Sequence, residues 1–89
     1  ILEIEPEALA QVMATVQKVA RAIRSALKPD GLHIAQFNGA PAGQTVFHLH
    51  VHIVPRWDGQ AVGFAAHGQG QMADADALSA LADEIRAQL

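Results

Sequence analysis

A short segment that alternates between apolar and imidazole side chains constrains the fold more than any other feature of this chain. Positions 47–53 read Phe-His-Leu-His-Val-His-Ile. Successive side chains of a β-strand point to opposite faces of its sheet, so a strand here would carry its imidazoles on one face, about 7 Å apart, and its apolar side chains on the other. The pattern predicts a strand with a dry face and an open face that carries His48, His50 and His52.

Three kinds of role are open to these histidines. They could be ordinary polar residues on a solvent-facing strand, although three in register are unusual there. They could share a zinc ion, although the chain has no cysteine and the nearest acid, Asp58, lies beyond a proline. Finally, imidazole is a nucleophile near neutral pH when a backbone carbonyl binds one ring nitrogen and leaves the other free to attack.

The residues before the alternating segment favour the third role. Positions 38–44 read Asn-Gly-Ala-Pro-Ala-Gly-Gln, a turn-forming stretch. Its glycines let backbone N–H groups approach an anion closely. Donors for phosphate oxygens and a candidate nucleophile therefore fall within one short span, which indicates phosphoryl chemistry.

The same residues resemble a known family, the histidine triad (HIT) proteins. Residues 48–54 match every position of its pattern His-φ-His-φ-His-φ-φ, in which φ is apolar. The preceding Asn-Gly-x-x-Ala-Gly-Gln-Thr-Val and the following Pro-Arg are similar to the bacterial branch that includes nucleoside phosphoramidases and dinucleoside polyphosphate hydrolases. The resemblance runs from about Pro6 to Arg56. It implies cleavage at the α-phosphate of a nucleotide conjugate.

The resemblance also implies a role for each histidine. His50 matches the nucleophile, which would form a nucleotidyl-histidine intermediate that water later resolves. The backbone carbonyl of His48 would fix the tautomer of that nucleophile. His52 would donate to a phosphate oxygen or assist the leaving group.

Substrate-binding residues follow from the same match. Gln44 and Thr45 match positions that bind phosphate oxygens or the bridging atom by side chain or backbone N–H, and Gly43 and Asn38 complete the expected set. The chain departs from the commonest pattern at Phe37, where relatives often have a polar residue that contacts phosphate or ribose.

The resemblance implies partners and cofactors as well. The ligand expected is a purine nucleotide or nucleotide conjugate, and relatives are usually homodimers. No metal is required for the chemistry. A structural zinc is possible through an amino-terminal region that this sequence does not include. The runner-up hypothesis is a non-catalytic nucleotide-binding or metal-binding module.

Composition excludes several other classes. A formal net charge of −3 gives no basic field for a nucleic-acid backbone. No apolar run approaches the roughly 20 residues that span a bilayer, so we expect no membrane insertion and a cytoplasmic location. A hydrophobic fraction of 51% with 17% charged residues is typical of a folded globule.

The pattern along the chain predicts an α+β fold: a HIT-like antiparallel sheet, a long helix packed on it and a short carboxyl-terminal helix. Apolar residues at three- and four-residue steps predict the long helix over residues 6–27, with Met13 in the core. Residues 32–37 are expected to form a strand antiparallel to the histidine strand, which Pro55 would end. His33 is expected to be a surface or partner-facing residue, and Arg56 a surface charge.

The second half of the chain is simpler. Residues 59–73, which include His67, are rich in Gly, Ala and Gln and are expected to form a loop. Asp74 is a candidate N-cap for a short helix with an apolar stripe at Leu78, Leu81, Ile85 and Leu89.

We expect one domain over residues 1–89, with the helix, strands and loop in 1–58 and the second loop and helix in 59–89. The chain begins at Ile1 without an initiator methionine. The resemblance does not include the amino-terminal half of the family's domain. We therefore expect this chain to be the carboxyl-terminal portion of a HIT-like domain.

Overall fold

A computed structural model describes residues 1–59 and 74–89. Its elements in chain order are helix α1 (Pro6–Leu27), strand β1 (Gly31–Ala35), a 3-10 turn (Ala40–Ala42), strand β2 (His52–Arg56) and helix α2 (Ala75–Arg86). The predicted α+β class, with an antiparallel sheet, a long helix and a short final helix, is confirmed. The loop predicted at 59–73, with His67, lies beyond Gly59 outside the described residues.

Helix α1 has the bounds that the sequence predicts. Pro6 occupies the first turn, where its missing N–H would have no helical partner anyway. At the other end Lys28 adopts the left-handed conformation, with φ of 50°, and its N–H donates to the Arg24 carbonyl at 3.0 Å. This is a common way to end a helix, because a left-handed residue turns the chain away from the helix axis.

One face of α1 packs on the sheet and supplies the core. Among residues 1–59 and 74–89, the buried side chains all come from this helix and are Val16, Ala20, Ala22 and Ile23. Leu9 and Val12 line a narrow cavity together with Ile34, Leu49 and Val51 of the sheet side. The prediction that Met13 fills the core is wrong, because its side chain is 43% exposed at the edge of the packed face.

The two strands pair antiparallel, as predicted, with Gly31 opposite Arg56 and Ala35 opposite His52. Both strands are shorter than the alternation indicates, and residues 46–48 form a bend. A ladder needs a partner, and β1 ends at Ala35, so among the described residues the pairing stops at His52. The predicted strand over 47–53 is therefore wrong for residues 47–51, and only His52 and Ile53 of this segment lie in β2. Phe47, expected to face the core, is 74% exposed.

Pro55 lies inside β2, opposite Leu32, so the prediction that it ends the strand is wrong by one residue. A proline is tolerated in a short ladder where its missing N–H would point away from the partner strand. The strand ends at Arg56 instead.

Helix α2 begins as predicted and packs only lightly on α1. The Asp74 carboxylate accepts a hydrogen bond from the Ala77 N–H at 3.0 Å, which confirms the N-cap. Of the expected apolar stripe, Ile85 is half-buried, whereas Leu78 is 52% exposed. Within residues 1–59 and 74–89, neither helix is long and apolar enough to cross a membrane.

Candidate active site

A short contact at the candidate site joins an imidazole ring to a backbone group. Nδ1 of His50 lies 2.6 Å from the carbonyl oxygen of His48. Because a carbonyl oxygen can only accept, Nδ1 must carry the proton of the neutral ring, and Nε2 keeps its lone pair. The sequence analysis expected this carbonyl to hold the tautomer of His50, and a neutral ring with its proton on Nδ1 can use Nε2 as a base or a nucleophile.

His50 and His52 form a pair of adjacent rings, which we call the histidine pair. Their ring centroids are 4.7 Å apart and their planes are inclined by 74°, an edge-to-face arrangement. This separation is shorter than the roughly 7 Å set by strand rise, so the rings lean together. His48 is exposed, and among the described residues no ring contact joins it to His50. The structure thus brings together two of the three rings, those of His50 and His52. His48 contacts His50 through its backbone carbonyl.

Phe37 is a site residue that the sequence analysis left without a role. Its ring lies 5.4 Å from the His52 ring between centroids, with the planes tilted by 43°. On another side it approaches Gly43, where an added Cβ would lie 3.7 Å from the ring. The signal that could have found it is alternation: Phe37 follows Ala35, the partner of His52, by two residues and so shares its face.

Residues 39–45, which we call the amide loop, fold on their own backbone. The Gln44 N–H donates to the Gly39 carbonyl at 3.1 Å, and the Gly43 N–H donates to the Ala40 carbonyl at 3.0 Å. Gly43 has φ of 106°, a conformation that favours glycine. The loop therefore needs this glycine, but the two N–H groups predicted to bind phosphate at Gly43 and Gln44 are used inside the loop.

The Gln44 side chain is also used inside the loop. Its Oε1 accepts a hydrogen bond from the Gly39 N–H at 2.7 Å, and its Nε2 donates to the Val46 carbonyl at 3.1 Å. Together with its own N–H, Gln44 closes the loop from within. In this arrangement its carboxamide holds the loop and does not reach outward to a ligand.

Thr45 keeps its donors available. No hydrogen bond among the described residues engages its N–H or its hydroxyl, and the residue is exposed. Of the donors predicted in the amide loop, Thr45 is therefore the one whose groups can meet an anion without loss of an internal hydrogen bond.

Asn38 lies apart from the histidine pair. Its carboxamide exchanges two hydrogen bonds with that of Gln36, at 2.9 and 3.0 Å. Asn38 and Gln44 line an open cavity of about 460 Å³ together with His48, whereas His50 and His52 do not line it. Gln36 was missed by the sequence analysis, although the spacing Gln-x-Asn places both side chains on one side of an extended segment.

Two residues at the strand ends are less exposed than predicted. Arg56 was expected to be a surface charge but is half-buried, and its Nε is buried without a hydrogen-bond partner among the described residues. His33, expected at the surface or at a partner, is also half-buried and pairs in register with Val54. Both lie on the sheet away from the amide loop.

The described residues offer no ready metal centre. Among them, no group of three or more His, Cys, Asp or Glu side chains is arranged to hold a metal ion. Protein zinc sites use three or four such ligands, whereas the histidine pair supplies two rings. Among the described residues, the histidine pair therefore supplies fewer ligands than a protein zinc site uses.

Comparison with known proteins places this fold and site in a family. The HIT domain model matches residues 1–59. The chain is 46% identical over 66 residues to "Protein hit" of Bacillus subtilis, which covers 74% of this chain and 45% of that protein. It is 43% identical over 53 residues to an AP-4-A phosphorylase of Mycobacterium tuberculosis (58% of this chain, 27% of that protein). It is 39% identical over 54 residues to adenylylsulfatase HINT3 of Arabidopsis thaliana (61% and 27%).

Solved structures agree with the sequence relatives. A HIT-like protein of Bartonella henselae involved in cell-cycle regulation matches 100% of this chain and 60% of its own, with 37% identity and a TM-score of 0.82. A Zn-bound histidine triad family protein of Mycobacterium smegmatis matches 99% of this chain and 58% of its own, with 35% identity and a TM-score of 0.75.

The chain spans less than half of the length of the Bacillus relative and about 60% of the Bartonella structure. The matched region contains α1, both strands, the amide loop and the histidine pair. Since the family model covers well over half of the chain, this protein belongs to the HIT domain family.

Proposed function

We propose that this chain carries the catalytic part of a nucleotide hydrolase or transferase that cleaves at the α-phosphate of a nucleoside phosphoramidate or dinucleoside polyphosphate. The observation that carries the proposal is the 2.6 Å contact from His50 Nδ1 to the His48 carbonyl oxygen. The relatives include an AP-4-A phosphorylase and an adenylylsulfatase, so enzymes that act on nucleotides occur in the family.

In the first step, His50 Nε2 attacks the α-phosphorus. A bond forms between Nε2 and phosphorus, and the bond from phosphorus to the leaving nitrogen or oxygen breaks. Its electron pair leaves with that atom, which takes up a proton where its basicity requires one. The Nδ1 proton stays directed at the His48 carbonyl oxygen, which stabilises the positive charge that develops on the ring.

In the second step, water attacks the same phosphorus. An oxygen–phosphorus bond forms, the bond to His50 Nε2 breaks and its electron pair returns to the ring, which becomes the neutral tautomer again. The attacking water gives its proton to His52, which replaces the proton that His52 donates to the leaving group in the first step. The products are a nucleoside monophosphate and the protonated leaving group. An acceptor other than water would make the same site a transferase.

His52 is the proton donor that we assign to the first step. Its ring lies beside that of His50, with centroids 4.7 Å apart, and this closeness supports a role near the reacting phosphorus. Proton transfer by a positioned side chain contributes roughly a hundredfold or more to such rates.

Thr45 is the phosphate ligand that we assign to the amide loop. Its N–H and hydroxyl are not engaged by any described residue, whereas Gln44 shapes the loop around them. Removal of one donor from comparable sites costs about 3–4 kcal/mol of transition-state stabilisation. We assign Gly43 a role in shaping the amide loop and not a direct contact with phosphate, since its N–H already donates to the Ala40 carbonyl.

The direct test is His50→Asn, assayed with adenosine phosphoramidate and a diadenosine polyphosphate. We expect kcat to fall at least about 1000-fold, because loss of a nucleophile removes the covalent path. His33→Asn is the matched control, since His33 lies outside the alternating segment, and it is expected to retain activity. Turnover retained by His50→Asn would exclude the proposed nucleophile.

A chelator series on the parent protein separates imidazole catalysis from the runner-up hypothesis, a nucleotide-binding or metal-binding module. Activity that survives EDTA supports imidazole catalysis. Activity that EDTA removes and zinc restores would favour a metal-dependent site, and nucleotide binding without turnover would favour a binding module.

We also propose that the protein is a homodimer. An apolar groove of about 290 Å³ lies between α1 and β1, where Met13 is 43% and Ile34 49% exposed. Beside it β1 has an edge without a partner strand among the described residues. A second copy would cover both features, since an exposed edge and an apolar patch favour association.

Sedimentation of Ile34→Lys tests this. We expect this variant to be monomeric, whereas Leu78→Lys, a control at the similarly exposed Leu78 of α2, should remain dimeric. A parent protein that sediments as a monomer would contradict the proposal.

A further inference from the structure

One aromatic ring connects the amide loop to the histidine pair. Phe37 lies just beyond the end of β1 and is half-buried. Its ring meets the His52 ring at 5.4 Å between centroids, and the ring atoms lie 3.7–3.9 Å from where a Cβ of Gly43 would be. The amide loop and His52 therefore both lie beside the Phe37 ring, although Gly43 and His52 are separated by several residues in the sequence.

The contact with His52 has a geometry that restricts the imidazole. Tilted aromatic pairs with centroids between about 4.5 and 7 Å are favourable, because the edge of one ring meets the face of the other. His52 makes a second such contact with His50 at 74°. Held between Phe37 and His50, the His52 ring has little freedom to rotate about its χ2 angle.

The Phe37 ring also lies beside the amide loop. A Cβ built on Gly43 would lie 3.7 Å from the ring, at van der Waals distance, and the chain continues from Gly43 to Thr45. Phe37 therefore borders both the loop that carries Thr45 and the His52 ring. These are the two groups to which we assign phosphate binding and proton donation.

We propose that Phe37 is a positioning residue: it sets the ring plane of His52 and holds the amide loop at a fixed distance from the histidine pair. This inference rests on the proposed function for its catalytic consequence, but its geometric part stands alone. Positioning of this kind affects the rate more than affinity, since misplacement of a catalytic group by about 1 Å can cost as much as a hundredfold in rate.

The experiment compares Phe37→Leu with Phe37→Tyr. Leucine keeps apolar volume and removes the ring, whereas tyrosine keeps the ring. The first readout is the NMR chemical shift of the His52 ring protons, assigned with His52→Asn. We expect Phe37→Leu to move these signals, Phe37→Tyr to leave them close to those of the parent, and the control Phe47→Leu, at an exposed ring, to leave them unchanged.

The second readout is the split between kcat and KM. We expect Phe37→Leu to lower kcat about tenfold with KM within about twofold, and Phe37→Tyr to restore kcat. Circular dichroism confirms that each variant is folded. If Phe37→Leu does not fold, the comparison of Phe37→Tyr with Phe37→Trp, whose larger ring must displace Gly43 or His52, supplies the same two readouts.

The two readouts separate the inference from the proposed function. His52 signals that do not move in folded Phe37→Leu would overturn the inference, whatever the activity of the parent. Signals that move while kcat stays unchanged would overturn its catalytic part. A parent protein without turnover would overturn the proposed function. The NMR readout would still show whether the Phe37 ring affects the His52 ring.

Discussion

The amide loop and the histidine segment at residues 48–52 are neighbours in the chain, but they are organised in opposite ways. In the loop a side chain holds the backbone: Gln44 binds the Gly39 N–H and the Val46 carbonyl. In the histidine segment the backbone holds a side chain: the His48 carbonyl binds Nδ1 of His50. Side-chain identity should therefore matter most at Gln44 and His50, whereas His48 contributes a group that every residue has.

The largest expected effect contrasts two histidines. His50→Asn should lower kcat at least about 1000-fold, whereas His48→Asn keeps the backbone carbonyl that contacts Nδ1 and should lower kcat by about tenfold at most, no more than the worth of one hydrogen bond. Steady-state kinetics of the two variants measures the gap. An equal loss in both would show that the His48 ring takes part directly and would remove the contrast between the regions.

The next effect is expected at Gln44. Gln44→Ala removes two hydrogen bonds that close the amide loop, so Thr45 should lose its fixed position. We expect KM to rise about tenfold, which corresponds to roughly 1.4 kcal/mol and to the net loss of one to two hydrogen bonds.

The control is Gln11→Ala on the exposed side of α1, which should leave KM unchanged. A Gln44→Ala variant that loses kcat with unchanged KM would instead point to a direct role of its carboxamide in the transition state.

A smaller effect is expected on stability at Gly43. With φ of 106°, this position disfavours a Cβ, although the Phe37 ring at 3.7 Å leaves space for one. Gly43→Ala should lower the free energy of unfolding by about 1–2 kcal/mol. Gly31→Ala is the matched control, because its φ is not positive and nothing lies within 4 Å of its added Cβ. Urea unfolding of both variants measures the difference. Equal midpoints would mean that the loop does not depend on this glycine.

The smallest effect lies far from both regions. Asp74→Ala removes the N-cap of α2 and should cost about 1 kcal/mol of stability with kcat unchanged. Asp76→Ala, in the same first turn but without a cap hydrogen bond, should cost less. If Asp74→Ala lowers kcat, loss of stability alone affects turnover, and the kinetic contrasts above must be corrected for it.

The sequence predicted the elements whose determinants are local. Periodic apolar residues, Pro6 and the turn after Leu27 define α1, and Asp74 defines the start of α2. The antiparallel pairing also followed from two short apolar runs joined by a turn-rich stretch. The family resemblance assigned the His48 carbonyl to the His50 ring, and the structure has a contact between these two groups.

The features that the sequence did not predict depend on tertiary contacts. Alternation over 47–53 indicates a strand, but the ladder is limited by the length of β1, and no pattern in the segment itself shows where its partner ends. The inward turn of Gln44 depends on the positive φ of Gly39 and Gly43, and the N–H groups of the loop donate to oxygen acceptors within the loop. The ring contacts of Phe37 depend on how far that loop folds back.

The most direct test of the central claim is to identify the residue that carries the nucleotide during turnover. The reaction is stopped in base, in which bonds between phosphorus and imidazole nitrogen persist, and the digested protein is read by tandem mass spectrometry. The account predicts a nucleotidyl adduct on His50 that is absent from His50→Asn. An adduct on His48 or His52, or turnover by His50→Asn at the parent rate, would contradict it.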